Sequence, residues 1–472
     1  MTFETLKRSH LKRNIIIAVA IVFILSAIIL TFTRAKYKVT DSMPLLNGTI
    51  NYTLADLNIV AMYVDGEQVD KLPDGKYTLT SESYCTNEDD EKDESITLSY
   101  DSATQGLSVS PLTKKGTKCY LYFEKLPSSN IQLLATVNGA SSTTFPGKDS
   151  NYTPDSVSCT NGAKAKFDFV DWAVEVDSVG ATTCTVNFKD NVNETFANYL
   201  ISKACSGTPT SDDDAKNCLV NENGYRYEGK NPNNYVLFND ELWRVIGVFS
   251  MKTASGNTQN LVKLIRNETL DGLAWHSPSN NNWSSAILQT QLNNGYLNAT
   301  DSTCNFYEDN TKTCYFSETG LNIASRGMIE SVVWNLGGTS STSATADTFY
   351  TAERGTTVYS GRPTAWTGKV GLMYPSDYGY AVLASSCERT TNLGDYDSTA
   401  CAGNNWLKTG SYQWTLTPRS SYSNIVFSVT GSGYLDDNYS NYGFGARPSI
   451  YLKSSIVVLG GDGSSDFPYV IK

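Results

Sequence analysis

The sequence predicts an α+β C-terminal domain preceded by an N-terminal transmembrane helix and small all-β, Ig-like modules. Three observations carry this. An uncharged apolar run extends from Asn14 to Thr33, alternating Thr-, Val- and Tyr-rich stretches with paired cysteines continue to Asp190, and short strand patterns mix with two helical ones from Tyr225 onward. At 472 residues the chain exceeds what one core organises, since domains usually hold about 100–200 residues, so several domains are expected.

Lys7, Arg8, Lys12 and Arg13 precede the apolar run. Its length matches the roughly 20 residues needed to cross a bilayer and exceeds the roughly 7–15 apolar residues of a cleaved signal core. No Ala-x-Ala site follows it. The expectation is a cytoplasmic tail over 1–13, a single-pass membrane anchor over 14–33, and an extracellular remainder, with a processed signal peptide as the rival reading of the same run. Arg34, Lys36 and Lys38 blunt the charge asymmetry that would orient the anchor, so the cysteines decide. All ten lie after it: Cys85, Cys119, Cys159, Cys184, Cys205, Cys218, Cys304, Cys314, Cys387 and Cys401. An even count beyond an anchor is disulfide usage. Five successive couples with short loops predict nearest-neighbour pairing, although sequence alone leaves the connectivity open.

Counting excludes other chemistries. His10 and His276 are the only histidines and no Cys-x-x-Cys occurs, so neither a metal site nor a cofactor is expected. Residues 1–38 hold seven basic side chains and one acidic, leaving 30 basic against 47 acidic beyond them, which argues against nucleic acid as a partner. The acidic run from Glu88 to Glu94 and the cluster Asp212, Asp213 and Asp214 lack the Asp-x-Asx-x-Asx-Gly spacing of a calcium loop and read as solvated turns.

Two β-modules are expected over 39–135 and 136–190, because a degenerate repeat runs through them. Tyr84-Cys85-Thr86-Asn87 leads to Gly116-x-x-Cys119-x-x-x-Phe123, and Ser158-Cys159-Thr160-Asn161 leads to Gly180-x-x-x-Cys184-x-x-x-Phe188. Residues 191–224 read as a helix, Asn193 to Lys203 with Asn191 or Asn193 as N-cap, followed by a disulfide-looped linker. The domain over 225–472 opens with a hairpin, Val236 to Phe238 and Leu242 to Phe249 about Asn239-Asp240, and a strand from Leu261 to Ile265. Ser284 to Leu292 and Asn322 to Trp334 show three- and four-residue apolar spacing and read as helices.

The segment Tyr225-Arg-Tyr-x-Gly-x-Asn-Pro-Asn-Asn-Tyr-Val-x-Phe-Asn-x-x-x-Trp243-Arg-Val-Ile-Gly247 resembles the opening of an uncharacterised domain common in surface proteins of gut Firmicutes. Trp283 with Leu292-Asn293, Val370-Gly-Leu-Met-Tyr374 and Trp414-x-Leu-x-Pro-Arg419 resemble its later steps. Gly445-Ala-Arg447-Pro448-Ser-Ile-Tyr-Leu452, then Gly461-Asp462-Gly463 and Pro468-Tyr469, resemble its end. The resemblance spans residues 225–472 and implies a C-type-lectin-like fold related to the formylglycine-generating enzymes. It does not imply their activity: the domain's cysteines form two local couples in place of the oxidase thiol pair, and His276 beside Trp275 has no nucleophile placed near it. The chain is therefore expected not to be an enzyme.

Between Ser411 and Tyr451, 21 of 41 residues are Tyr, Ser, Gly or Asn. Recognition surfaces favour this mixture, because tyrosine brings contact area with little rotamer entropy to lose while Ser, Asn and Gly adapt their hydrogen bonds. The candidate ligand-binding residues are Ser421, Tyr422, Asn424, Tyr434, Asp436, Asn438, Tyr439, Asn441 and Tyr442. The arrangement also resembles the variable regions of diversity-generating retroelement proteins. Arg419 and Arg447 are expected to hold the scaffold. The functional expectation is a bacterial surface-displayed recognition or adhesion protein whose partners are the membrane, through 14–33, and an extracellular protein or glycan. The competing expectation is a structural envelope or pilin-like protein, although no Gly-Phe-Thr-Leu-x-Glu type site precedes the apolar run.

Overall fold

A computed structural model describes residues 58–472 apart from 74, 76, 88–89, 102–105, 112–116, 126–130, 178–180, 308–309 and 397–399. The expected tail and anchor lie outside the described residues. Among those described, no helix is long and apolar enough to cross a membrane. The described residues fall into two compact units, one before residue 130 and one after it.

In the first unit, Asn58–Val64 runs parallel to Lys118–Lys125. Glu67–Val69 folds back on the outer side of Asn58–Val64 across Asp65-Gly66, both at positive φ, as a two-residue type I′ turn requires. Tyr77–Leu79 and Tyr84–Thr86 pair antiparallel with the other side of Lys118–Lys125. Thr97–Asp101 and Gly106–Ser110 form a separate hairpin. Alternation in the last strand turns Cys119, Leu121 and Phe123 inward, against Met62, Tyr77, Cys85, Leu107 and Val109.

The second module repeats this plan at the start of the second unit. Ile131–Val137 runs parallel to Thr182–Asp190, Ala140–Ser142 folds back across Asn138-Gly139 at positive φ, and Tyr152–Cys159 pairs antiparallel on the far side. Lys164–Asp168 and Ala173–Asp177 supply its hairpin. Cys184, Val186 and Phe188 are the inward positions of the last strand, matching Cys119, Leu121 and Phe123. In both modules the disulfide joins residues directly opposed across antiparallel strands, Cys85 with Cys119 and Cys159 with Cys184. The opening strand of the second module crosses the expected boundary between 135 and 136. Each module has one main sheet and a two-stranded hairpin, not the two packed sheets of an Ig-like sandwich.

The rest of the second unit centres on a ten-stranded sheet built around the hairpin Tyr235–Phe238 and Glu241–Lys252. Asn239 and Asp240 both take positive φ at its turn. Thr258–Arg266 and Ser449–Tyr451 extend the sheet on one side, and Tyr469–Ile471, Val457–Gly460 and Glu194–Thr195 on the other. A five-stranded sheet runs in the order Leu270–Ala274, Gly443–Ala446, Gln413–Pro418, Ile425–Val429, Leu435–Tyr439. Trp243, Trp275, Trp283, Trp334 and Trp414 are all fully buried in the common core. The linker belongs to that core too, because the helix Phe196–Ser202 contributes Phe196, Ala197 and Leu200. Its N-cap residue is Thr195, not Asn191 or Asn193.

The expected α+β C-type-lectin-like class is not met. Strands take 41% and helices 15%, the sheets are many and small, and no α+β lectin signature is present. Among the described residues the longest helix, Ala346–Glu353, has eight residues. The apolar spacing from Asn322 to Trp334 does not belong to one helix. Asn322 caps a short helix, Ile323–Met328, and Trp334 is buried from a strand, Val332–Asn335. Ser284 to Leu292 is likewise broken, into a 3-10 turn Trp283–Ser285, an α-turn Ile287–Thr290 and the start of a π-turn Gln291–Gly295. Single turns between strands mimic helical periodicity without continuing it.

Charge lies inside this core. Asp377 accepts from Arg226 at 3.0 Å and Lys263 at 2.5 Å, with all three side chains at most 2% exposed. Burial opposes the charge on Asp377, but Lys263 and Arg226 outweigh it and hold the carboxyl down at about 2. Glu353, fully buried beside Ser376 and Arg354, behaves in the opposite sense: burial pushes it from 4.5 up to about 7. The folded protein therefore keeps a proton on Glu353 that the unfolded chain has released. Its contribution is complete below the unfolded value and is lost as pH rises through about 7. The expected result is a stability that declines between pH 5 and pH 7 by up to a few kcal/mol, with Glu353→Gln reducing the slope and leaving the part due to Glu228, which burial pushes from 4.5 up to about 8.

Candidate functional site

The sequence-predicted residues fall along the edge of the five-stranded sheet. Leu435–Tyr439 is its outermost strand and pairs only with Ile425–Val429 in that sheet. Ser421 and Tyr422 are exposed on the turn entering Ile425–Val429, with Asn424 half-buried beside them. Tyr434 precedes the edge strand, Asp436, Asn438 and Tyr439 lie on it, and Asn441 and Tyr442 form the turn that follows. Trp414, Ser428 and Asp436 are opposed across three strands and so share one face. Asn438 Nδ2 donates to Ser428 Oγ at 2.9 Å, which puts Asn438 on that face too.

The residues form a strip and do not converge on a point. At one end the two turns meet, since Ser440 N–H donates to the Asn424 carbonyl at 3.0 Å and Tyr439 opposes Ile425. At the other end stands Tyr434. Aromatic contacts link the ends: Tyr439 with Tyr442 at 5.7 Å, Tyr442 with Phe444 at 6.0 Å, and Phe444 with Tyr412 at 4.7 Å and with the buried Trp414 at 4.5 Å. Tyr307 adds its ring to Tyr442 at 5.4 Å. Partial burial, then the neighbouring Tyr434 and Asp436, push the Tyr412 phenol up, so these three side chains sit together. Tyr422, Tyr434 and Tyr439 are 48%, 37% and 47% exposed, enough to offer ring faces while remaining seated.

The turns are held from beneath. Asn281, 1% exposed, places its Nδ2 within 2.8–3.1 Å of the carbonyls of Arg419, Tyr422 and Ile425. Arg362 Nε donates to Asn281 Oδ1 at 3.2 Å and its Nη2 to the Ser423 carbonyl at 3.1 Å. Ser440, fully buried between the exposed Tyr439 and the half-buried Asn441, accepts from Asn280 N–H at 2.8 Å and, through its carbonyl, from His276 N–H at 2.8 Å. Arg419 pairs with Asp437 and lies 4.8 Å from the Tyr422 ring, while Arg447 donates to the Arg266 and Leu407 carbonyls. Both arginines thus hold the scaffold. Polar pins of this kind limit the ordering cost that a loop incurs on binding.

Sequence reasoning missed Asn281, Arg362, Ser440 and Tyr412. In a stretch so rich in Asn and Ser the pinning residues have no local mark that separates them from exposed ones. Tyr412 had one, its two-residue spacing from Trp414. His276 is buried, and burial followed by the charge of Arg362 holds its imidazole below the ordinary value, with Nδ1 lacking a hydrogen-bond partner among the described residues. The cysteines form five disulfides between sequence neighbours, which fits an extracellular protein. No group of three or more His, Cys, Asp or Glu side chains among the described residues is placed to hold a metal ion. No family model matches the chain, and neither a curated protein nor a solved structure matches it.

Proposed function

We propose that this protein is a surface-displayed recognition or adhesion protein, anchored through residues 14–33, that binds an extracellular protein or glycan through the tyrosine strip of its C-terminal domain. The observation that supports this best is the combination of half-exposed tyrosines above with buried polar pins below. Exposed rings supply contact area, and the pins keep turns of Ser, Asn and Tyr from losing much freedom on binding. A structural envelope protein has no need of such preparation at an exposed edge.

The test is a glycan and bacterial-surface array probed with the wild-type protein and with a variant carrying Tyr434→Ala, Tyr439→Ala and Tyr442→Ala. Central aromatic anchors commonly contribute more than 1 kcal/mol each, so the triple change is expected to weaken binding at least about 30-fold. The fold should persist, because Tyr434 and Tyr439 are exposed and only Tyr442, half-buried against Phe444 and Tyr307, gives up packing, at a cost of about 0.5–3 kcal/mol. Binding untouched by the triple change would remove the strip from the interface. No binding by the wild type on either array would favour the structural envelope reading.

A further inference from the structure

A cleft of about 350 Å³ opens at one end of the tyrosine strip, where its lining residue Ser411 adjoins Tyr412. Arg244 and Arg447 lie within its lining, at only 6% and 4% exposure. Among the described residues every hydrogen-bond acceptor they reach is neutral. Arg447 donates to the carbonyls of Arg266 at 2.8 Å and Leu407 at 3.3 Å, and Arg244 to Asn234 Oδ1 at 2.6 Å and the Pro232 carbonyl at 3.3 Å. Among the described residues neither guanidinium has a carboxylate in salt-bridge contact, in contrast to Arg226, Arg266, Arg389 and Arg419. Arg244 is held between the Tyr235 and Trp406 rings at 4.1 and 4.6 Å, so it cannot swing out to water.

Two buried like charges with no carboxylate in direct contact are costly. Burial and then Arg244 hold Arg447 down at about 9 against the weaker, opposing pull of Glu268, and burial holds Arg244 down at about 10. Lys408 adds a third cation to the lining. Glu268 is the one acid there, exposed at the rim, where its Oε1 accepts from Asn267 Nδ2 at 2.8 Å. A ligand anion would relieve the buried charges, and a guanidinium fork suits a planar carboxylate. Glu268 repels a dianion more than a monoanion, and the hydroxyls of Thr409 and Ser411 at the mouth suit a hydroxyl-rich ligand. The volume is that of a small-ligand pocket, which commonly spans about 300–1,000 Å³.

We propose that this cleft binds the carboxylate of an acidic saccharide, with Arg244, Arg447 and Lys408 holding the carboxylate and the hydroxyl-bearing mouth meeting the sugar. This site stands on the cleft alone and goes beyond the recognition reading of the tyrosine strip.

The experiment is saturation-transfer NMR on the full-length protein with three probes: glucuronate, glucose and inorganic phosphate. Glucuronate is expected to bind and glucose to bind at least tenfold more weakly. Lys408→Glu, at a half-buried position, should weaken glucuronate at least tenfold while leaving the melting temperature in place. Arg447→Gln should weaken glucuronate likewise, at a cost in stability, and the lysine variant keeps the test valid where the arginine variant fails to fold. The Tyr434, Tyr439 and Tyr442 triple variant should retain glucuronate binding, which separates this site from the strip. Equal binding of glucose, binding of phosphate alone, glucuronate binding indifferent to Lys408→Glu, or no binding of any probe would each overturn the proposal.

Discussion

Replacing Asp377 by Ala is expected to lower the stability of the C-terminal domain by about 3–5 kcal/mol, the usual cost of stranding a buried charge. Asp377 receives the fully buried Lys263 at 2.5 Å and Arg226 at 3.0 Å, and its Oδ2 also accepts from Tyr374 N–H at 2.9 Å at the start of the helix Pro375–Tyr380. Removing the carboxylate leaves two cations in an apolar core and an uncapped helix start. The nearby rings soften the loss without cancelling it. Lys263 Nζ lies 4.4 Å from the Tyr374 ring and 5.3 Å from Trp334, and Arg226 lies 4.5 Å from Phe249 and 4.9 Å from Tyr380. The measurement is a urea denaturation midpoint followed by tryptophan fluorescence, which reports the buried Trp334 and its neighbours. Adding Lys263→Met to Asp377→Ala should recover part of the loss, because it removes one stranded charge. A loss under about 1 kcal/mol in the single variant would mean that the network carries little of the stability.

The second large effect is expected from Cys85→Ala with Cys119→Ala. Among the described residues only eight form the buried core of the first module, and the bridge closes a 34-residue separation. Loop-closure entropy assigns such a bridge about 4 kcal/mol, comparable with the whole stability of a small domain. The module should unfold and become open to protease between 58 and 125. The matching change at Cys159 and Cys184, across a 25-residue separation, should do much less. That second module rests on the C-terminal domain: Phe169 meets Phe467 at 6.1 Å, and Leu237 and Val470 pack against the same cluster. Hydrogen exchange by mass spectrometry distinguishes the two cases. Equal unfolding of both modules would show that this packing contributes little.

What was legible in the sequence was local and periodic. The repeated four-residue spacing of Cys119 from Phe123, and of Cys184 from Phe188, was legible, and the structure places these residues on equivalent inward faces of the two closing strands. The hairpin at Asn239-Asp240 was legible because two consecutive residues there must take positive φ, which Asn and Asp tolerate. The class of the C-terminal domain was not. Its helices are too short to impose a period on the sequence, and strands such as Val332–Asn335 begin before the apparent helical spacing ends. Nor could the sequence distinguish Ser440 from Asn441, because burial there depends on Asn280 and His276, more than 150 residues upstream. Of the two arginines of the cleft, Arg447 was read as scaffold. Its contacts agree, but the lack of a carboxylate in direct contact among the described residues is a property of the surroundings and not of the motif.

In both modules the opening strand lies parallel to the closing strand, so the chain enters at one end and leaves at the other. A pull on the two ends therefore slides these strands along each other. The ladder from Asn58 opposite Lys118 to Val64 opposite Phe123, and that from Ile131 opposite Thr182 to Val137 opposite Phe188, would have to yield as a set instead of opening one rung at a time. Each disulfide clamps the closing strand on its other side. Parallel end strands thus make each module a shear-loaded element, suited to carrying tension along the chain without lengthening.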